Sequence, residues 1–219
     1  MNVLDAIRER HSTRAFLKKD VDPEKLQTIL ETASWAPSGV NTQPWKAFVL
    51  DKEKIHTLSE ALINARNSGT EPNPDYDYYP ANWKEPYLSR RRNCGLKLYQ
   101  TMGIGKKDKQ QQMDAWCRNY RFFDAPTGLL FFLEQGMQTG SWLDMGMFMQ
   151  NIMLAAKEFG LDTCPQASLA EYPDIVRTQL GIDNNWLLIA GMALGYADPS
   201  DPLNQYRLPR ESVENFTKW

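Results

Sequence analysis

Residues 141–159 read SWLDMGMFMQNIMLAAKEF, with Asp144, Gln150, Asn151, Lys157 and Glu158 as the polar interruptions. A helix of that length, apolar around most of its circumference, has to be buried, within a large core or between subunits. A symmetric dimer would supply such burial. Met145, Met147, Met149 and Met153 read as adaptable packing residues rather than ligands. Gly160 closes the helix, Leu161–Ala167 is expected to be a strand, Pro173 starts a helix through Leu180, and Trp186–Gly195 is a clear strand.

On the other side, Val3–Ile7 resembles a short amphipathic helix. Asp22-Pro23-Glu24 opens another, with a capping acid, a first-turn proline and Leu26, Ile29 and Leu30 at helical spacing; it should end before Pro37. Trp45–Leu50 reads as a buried strand, residues 52–66 as a polar helix with Ile55, Leu58 and Leu62 inward, and Thr127–Leu133 as a core strand. Two more helices are expected, one through Leu96 and Leu98 and a polar one from Lys107 to Trp116. Helices outnumber strands and no regular βαβ repeat appears, which predicts a three-layer α+β arrangement instead of a doubly wound sheet.

The 219 residues suffice for one substantial domain, and a single unit spanning 1–219 is the expectation. With 25 Lys+Arg against 27 Asp+Glu, a formal net charge of −2, nothing draws the whole chain to nucleic acid or an anionic membrane, so any anion site must be local. Cys94, Cys117 and Cys164 lack zinc-site spacing and cannot all pair, which fits a reducing, cytoplasmic setting. The N-terminus does not read as a secretory signal, and no membrane span is expected.

Residues 70–87, TEPNPDYDYYPANWKEPY, combine four prolines with five large aromatics. Proline excludes regular structure there while the aromatics argue against disorder, so an ordered insertion at about 70–105 is expected, roofing a pocket or packing on the surface. Arg90-Arg91-Arg92 reads as a solvated helix face. The tail from about Asp198 is proline-punctuated and polar, frayed or wrapped on a partner.

Two stretches carry chemistry. RHSTR, residues 10–14, has two readings: cations finishing a helix, or, if the chain is extended after Arg10, a face shared by Arg10, Ser12 and Arg14 that suits phosphate oxygens. No glycine-rich loop or Walker lysine offers an alternative cradle. Residues 37–45, PSGVNTQPW, form a structured turn whose Ser38, Asn41 and Gln43 offer neutral donors and acceptors, to a polar ring or to their own backbone.

RHSTR, PSGVNTQPW, GLDTCPQAS at 160–168 and YRLPR at 206–210, in that order and spacing, resemble the FMN-dependent nitroreductase family of bacterial flavoenzymes. The resemblance implies a three-layer α/β/α sandwich with a mixed central sheet, a domain-swapped homodimer and two FMN sites at its interface. It places Arg10, His11 and Ser12 at the FMN phosphate and ribityl with Arg207, and Arg14 at the pyrimidine edge near flavin N1 and O2. Pro37, Ser38, Gly39 and Asn41 would come from the partner chain. Pro165, Gln166, Ala167 and Ser168 would run along the isoalloxazine, with the backbone N–H of Ala167 or Ser168 donating to N5. No metal and no conventional catalytic acid or base is implied.

This chain departs from relatives in having Ala167 and Ser168 where they carry an acidic residue and a glycine, and Gln205 where many have a second basic residue before the counterpart of Arg207. The implied activity is ping-pong, two-electron reduction of a small nitroaromatic acceptor by NADH or NADPH. Quinone reduction, dehalogenation or flavin ring cleavage on the same fold, and a non-catalytic flavin-binding redox module, remain open on sequence.

Overall fold

The computed structural model describes residues 1–219. Four strands, β1 (Lys46–Leu50), β2 (Thr127–Glu134), β3 (Asp162–Gln166) and β4 (Trp186–Gly195), form one sheet in the spatial order β1-β2-β4-β3. The helices are α1 (Val3–Glu9), α2 (Pro23–Ala33), α3 (Lys52–Asn67), α4 (Tyr87–Thr101), α5 (Lys109–Cys117), α6 (Thr139–Glu158), α7 (Pro173–Leu180) and a short α8 (Val213–Phe216).

Strand β2 explains the layering. Leu129, Phe131 and Leu133 pack with Ile29 and Ala33 of α2 and Met145, Phe148 and Ile152 of α6, whereas Leu130 and Phe132 pack with Ile55, Leu58 and Leu62 of α3 and Val176 of α7. Alternate residues thus serve opposite faces, and a strand covered on both reads as a continuous apolar run.

The expectation of a mixed central sheet needs correction, because every pairing among the four strands is antiparallel. The only parallel element is the isolated bridge between Ser12 and Thr163. It does not grow into a ladder because other groups take the next backbone positions: Arg14 N–H donates to Asn204 Oδ1 at 2.9 Å and Arg118 Nη2 donates to Arg14 O at 2.8 Å.

Burial of β1 is also less than expected. It pairs with β2 alone, Val49 is exposed, and Leu50 is its one buried residue, since an edge strand has no neighbour beyond it. Helix α6 buries Asp144, Met145, Phe148, Ile152, Met153 and Ala156, but leaves Leu143 68% exposed. Beside it α1 turns Val3, Leu4 and Ile7 outward, burying only Ala6.

Residues 70–86 contain no helix or strand, as their prolines dictate. They are nonetheless pinned. Arg177 of α7, 7% exposed at its side chain, donates to both carboxylate oxygens of Asp75 at 2.7 and 3.1 Å, and Tyr76 Oη donates to Ile189 O at 2.6 Å. Tyr76 also meets the Trp142 ring edge-on at 4.5 Å. Helix α4 follows with no fully buried residue. No helix is long and apolar enough to cross a membrane.

Candidate functional site

The chain leaves α1 at Arg10, whose backbone N–H still donates to Ala6 O, and turns extended. Thr13 N–H donates to Thr163 O at 3.0 Å, laying residues 10–14 beside β3. Thr13 is fully buried on one side of this strip. On the other, Arg10, Ser12 and Arg14 all bear on Cys164, whose thiol burial pushes up while the two guanidiniums oppose that shift. The alternation of an extended segment therefore puts the two arginines and Ser12 on one face.

The tail returns to this strip. Asn204, 7% exposed, accepts from Arg14 N–H and donates to Ala15 O at 2.8 Å and Asp198 O at 2.9 Å. Arg207 Nη1 donates to Asn204 O at 2.7 Å and Tyr206 O at 3.0 Å. Its charge reaches His11, whose pKa is lowered first by burial and further by Arg207. His11 Nδ1 lies 3.1 Å from Glu9 O. Arg10 is lowered by burial and by the nearby Arg210. Arg210, three residues after Arg207, thus adds a further cation near Arg10.

None of Arg10, Arg14, Arg118, Arg207 and Arg210 takes part in a salt bridge. Clustered cations without counter-ions create a local field for an anion in a chain whose net charge gives none.

Beside the cluster opens a cavity of about 950 Å³. Its lining includes Arg14 of the strip and Cys164–Ser168 of the β3 region, Arg118, Asn119 and Phe123, the aromatic residues Tyr76, Tyr78, Tyr79 and Trp83, and residues of α4. Gln166 Nε2 donates to Asn119 O at 2.8 Å, while Gln166 Oε1 and Ser168 Oγ are buried without a partner. Unsatisfied buried polar atoms beside a pocket fit a ligand rich in donors and acceptors.

Sequence-predicted residues thus fall into two groups. Arg10, His11, Ser12, Arg14, Pro165, Gln166, Ala167, Ser168 and Arg207 converge around the strip, β3 and the tail. Pro37, Ser38, Gly39 and Asn41 do not line this cavity. They sit in a loop where Val40 and Asn41 have φ of 44° and 60°, Ser38 Oγ accepts from Gln43 N–H at 3.0 Å, and Gly39 N–H donates to Asp144 Oδ2 at 3.2 Å. Asn204, Arg118 and Arg210 escaped sequence reasoning, and Asp144 was noted only as a polar interruption of the apolar helix; Arg210 carried a signal as the last residue of YRLPR.

The Nitroreductase family pattern matches residues 7–196, from the end of α1 to just past β4. The chain belongs to the nitroreductase family. Among relatives, this nitroreductase-family chain is 37% identical to the nitrobenzene nitroreductase of Ectopseudomonas oleovorans, covering 97% of this chain and 94% of the relative. It is 38% identical to the chloronitrobenzene nitroreductase of Comamonas testosteroni, with the same coverage. The crystal structure of the FMN and NADPH-dependent nitroreductase NfnB from Sphigopyxis sp. strain HMH superposes with a TM-score of 0.97 at 37% identity, covering 100% of this chain and 99% of that one.

Proposed function

We propose that this chain is a cytoplasmic, homodimeric, FMN-dependent NAD(P)H oxidoreductase that reduces nitroaromatic compounds, with residues 1–219 forming one nitroreductase domain. The observation that carries the reading is the face of Arg10, Ser12 and Arg14 laid against β3, with Arg207 beside His11 and Pro165–Ser168 continuing into the cavity. The names of the relatives, and the FMN and NADPH dependence of the structural neighbour, support it.

Bound FMN would supply two-electron redox chemistry between NAD(P)H and a small nitroaromatic acceptor in a ping-pong sequence, each two-electron reduction drawing its balancing protons from solvent and leading, with loss of water, to the nitroso product and then to the hydroxylamine. The protein binds and orients. Arg10, His11, Ser12 and Arg207 hold the phosphate and ribityl end through charge-assisted hydrogen bonds. Arg14, its backbone fixed from both sides by Asn204 and Arg118, presents a cation to the pyrimidine edge. Pro165–Ser168 line the ring, and an N–H of Ala167 or Ser168 serves N5. The apolar surface of α1 and α6 is the dimer face, and it brings the partner's loop of Pro37, Ser38, Gly39 and Asn41 to the ring.

The test is FMN retention followed by anaerobic titration. Purified protein should carry FMN, be reduced by NADH or NADPH, and be reoxidised by a nitroaromatic. Arg10→Ala and Arg207→Ala should each lose FMN without unfolding. Full FMN affinity in both variants would refute the phosphate assignment, and a bound flavin that neither nicotinamide reduces would refute the enzymatic reading.

A further inference from the structure

Helix α4 lines the cavity along its length, from Tyr87 to Tyr99, and its three consecutive arginines, Arg90, Arg91 and Arg92, all belong to that lining. The three are not equivalent. Arg90 is paired with Glu211 of the tail. Arg91 instead places its guanidinium over the Trp83 ring, 5.1 Å from the centroid, with no carboxylate partner and no hydrogen-bond acceptor. Trp83 continues an aromatic row, 5.5 Å from Tyr79, which is 4.7 Å from Tyr78.

The charge balance of the cavity is one-sided. Of its acidic residues, Glu171 is engaged by Tyr120 Oη and by Arg66, leaving Asp77 against Arg14, Arg91, Arg92 and Arg118. A solvated charge run needs no aromatic backing, whereas a guanidinium over an indole, with no acceptor of its own, has its donors free for an incoming oxyanion.

We infer that Arg91 and Trp83 form an anion subsite on the α4 wall of the cavity, which takes a planar aromatic ligand bearing an anionic oxygen group. The inference rests on the flavoenzyme reading and deepens it, because the same cavity would admit both reductant and acceptor. Two sources have this chemistry: an acceptor with a ring carboxylate, such as a nitrobenzoate, and the 2′-phosphoadenosine end of NADPH. Trp83 supplies the stacking surface and Arg91 the charge-assisted hydrogen bonds.

The experiment is calorimetric titration of FMN-loaded protein, without turnover, using two matched pairs: benzoate against benzamide, and adenosine 2′-phosphate against adenosine. The native chain should prefer the anion in at least one pair by about tenfold, the scale of a partly exposed charge-assisted contact. Arg91→Gln should erase that preference, and Trp83→Leu should weaken binding of both members of the pair, with far-ultraviolet circular dichroism reporting that α4 is intact. Loss in the benzoate pair assigns the subsite to the acceptor; loss in the phosphate pair assigns it to the reductant. No anion preference in the native chain, or ratios in Arg91→Gln within twofold of native, overturns the subsite. Failure of the underlying reading is separate: it shows as a chain that takes up no FMN.

Discussion

Asn204 Oδ1 accepts the backbone N–H of Arg14 at 2.9 Å, joining positions 190 residues apart. The same buried side chain donates to Ala15 O and Asp198 O, so one amide replaces the ladder that the 10–14 strip never forms with β3. Asn204→Ala would strand two backbone groups, Arg14 N–H and Asp198 O, each costing about 1–3 kcal/mol if left unsatisfied and less where water enters, while Ala15 O keeps the N–H of Asp198. We expect a loss of about 2–4 kcal/mol in chemical denaturation, on the same scale, and weaker FMN retention even where the variant stays folded. Unchanged stability and retention would mean that the strip is held without Asn204.

Gly191 of β4 lies where a Cβ would come within 2.1 Å of Leu169 Cδ1 and 3.2 Å of Leu130 Cδ2. Leu169 follows directly on Ser168, so overpacking here pushes on the segment assigned to the flavin ring. Gly191→Ala should cost about 1–3 kcal/mol and blue-shift or broaden the bound-flavin absorbance. Gly191→Ala/Leu169→Ala should recover part of the stability because the clashing methyls are gone; a double variant no better than the single would put the strain elsewhere.

Helix α7 shows how far local signals reach. Pro173 starts it and Gly181, at φ 65°, stops it, so both bounds were readable from residues that only such positions favour. Strand β4 was equally legible from its apolar run. The exposure of β1 was not, because lying at the edge of a sheet is a property of the neighbours and not of Trp45–Leu50. The candidate site divides in the same way. Alternation along RHSTR offered the shared face of Arg10, Ser12 and Arg14 as one of two readings, the other being cations that finish a helix, and the family motifs added Arg207. Asn204 and Arg118 act through backbone atoms of a distant strip, and no spacing rule connects residues 190 or 104 positions apart.

Arg177 ties the aromatic insertion to the body. Its guanidinium holds Asp75 and Asp174 and donates to Trp186 O at 3.0 Å, while Asp75 Oδ2 also accepts Leu188 N–H at 2.8 Å. Removing one partner of a buried pair leaves an uncompensated charge, so Arg177→Met should lose about 3–5 kcal/mol. Hydrogen exchange should quicken across residues 70–86. Asp75→Asn/Arg177→Met should be less destabilised than Arg177→Met alone, since the amide oxygen still accepts from Leu188 and carries no charge. Equal losses would show that the ion pair does not set the anchorage.

His11 links the phosphate assignment to pH. Burial, with Arg207 and Lys157 nearby, holds its pKa below the ordinary 6.5, against the opposing pull of Glu9 O and Asp162. In flavin-free protein the unfolded state therefore binds the proton more readily. The His11 contribution to stability is fully present above the unfolded pKa and is lost as pH falls through the window down to the folded value. His11→Asn should flatten this part of the pH profile of unfolding. Placing a phosphate beside the ring adds a negative charge that favours the imidazolium, so FMN should raise the His11 pKa. Titration of the ring by NMR checks both statements: a value below 6.5 without flavin, moving upward with it. A pKa that FMN leaves unmoved would detach His11 from the phosphate while leaving Arg10 and Arg207 to be judged on FMN retention.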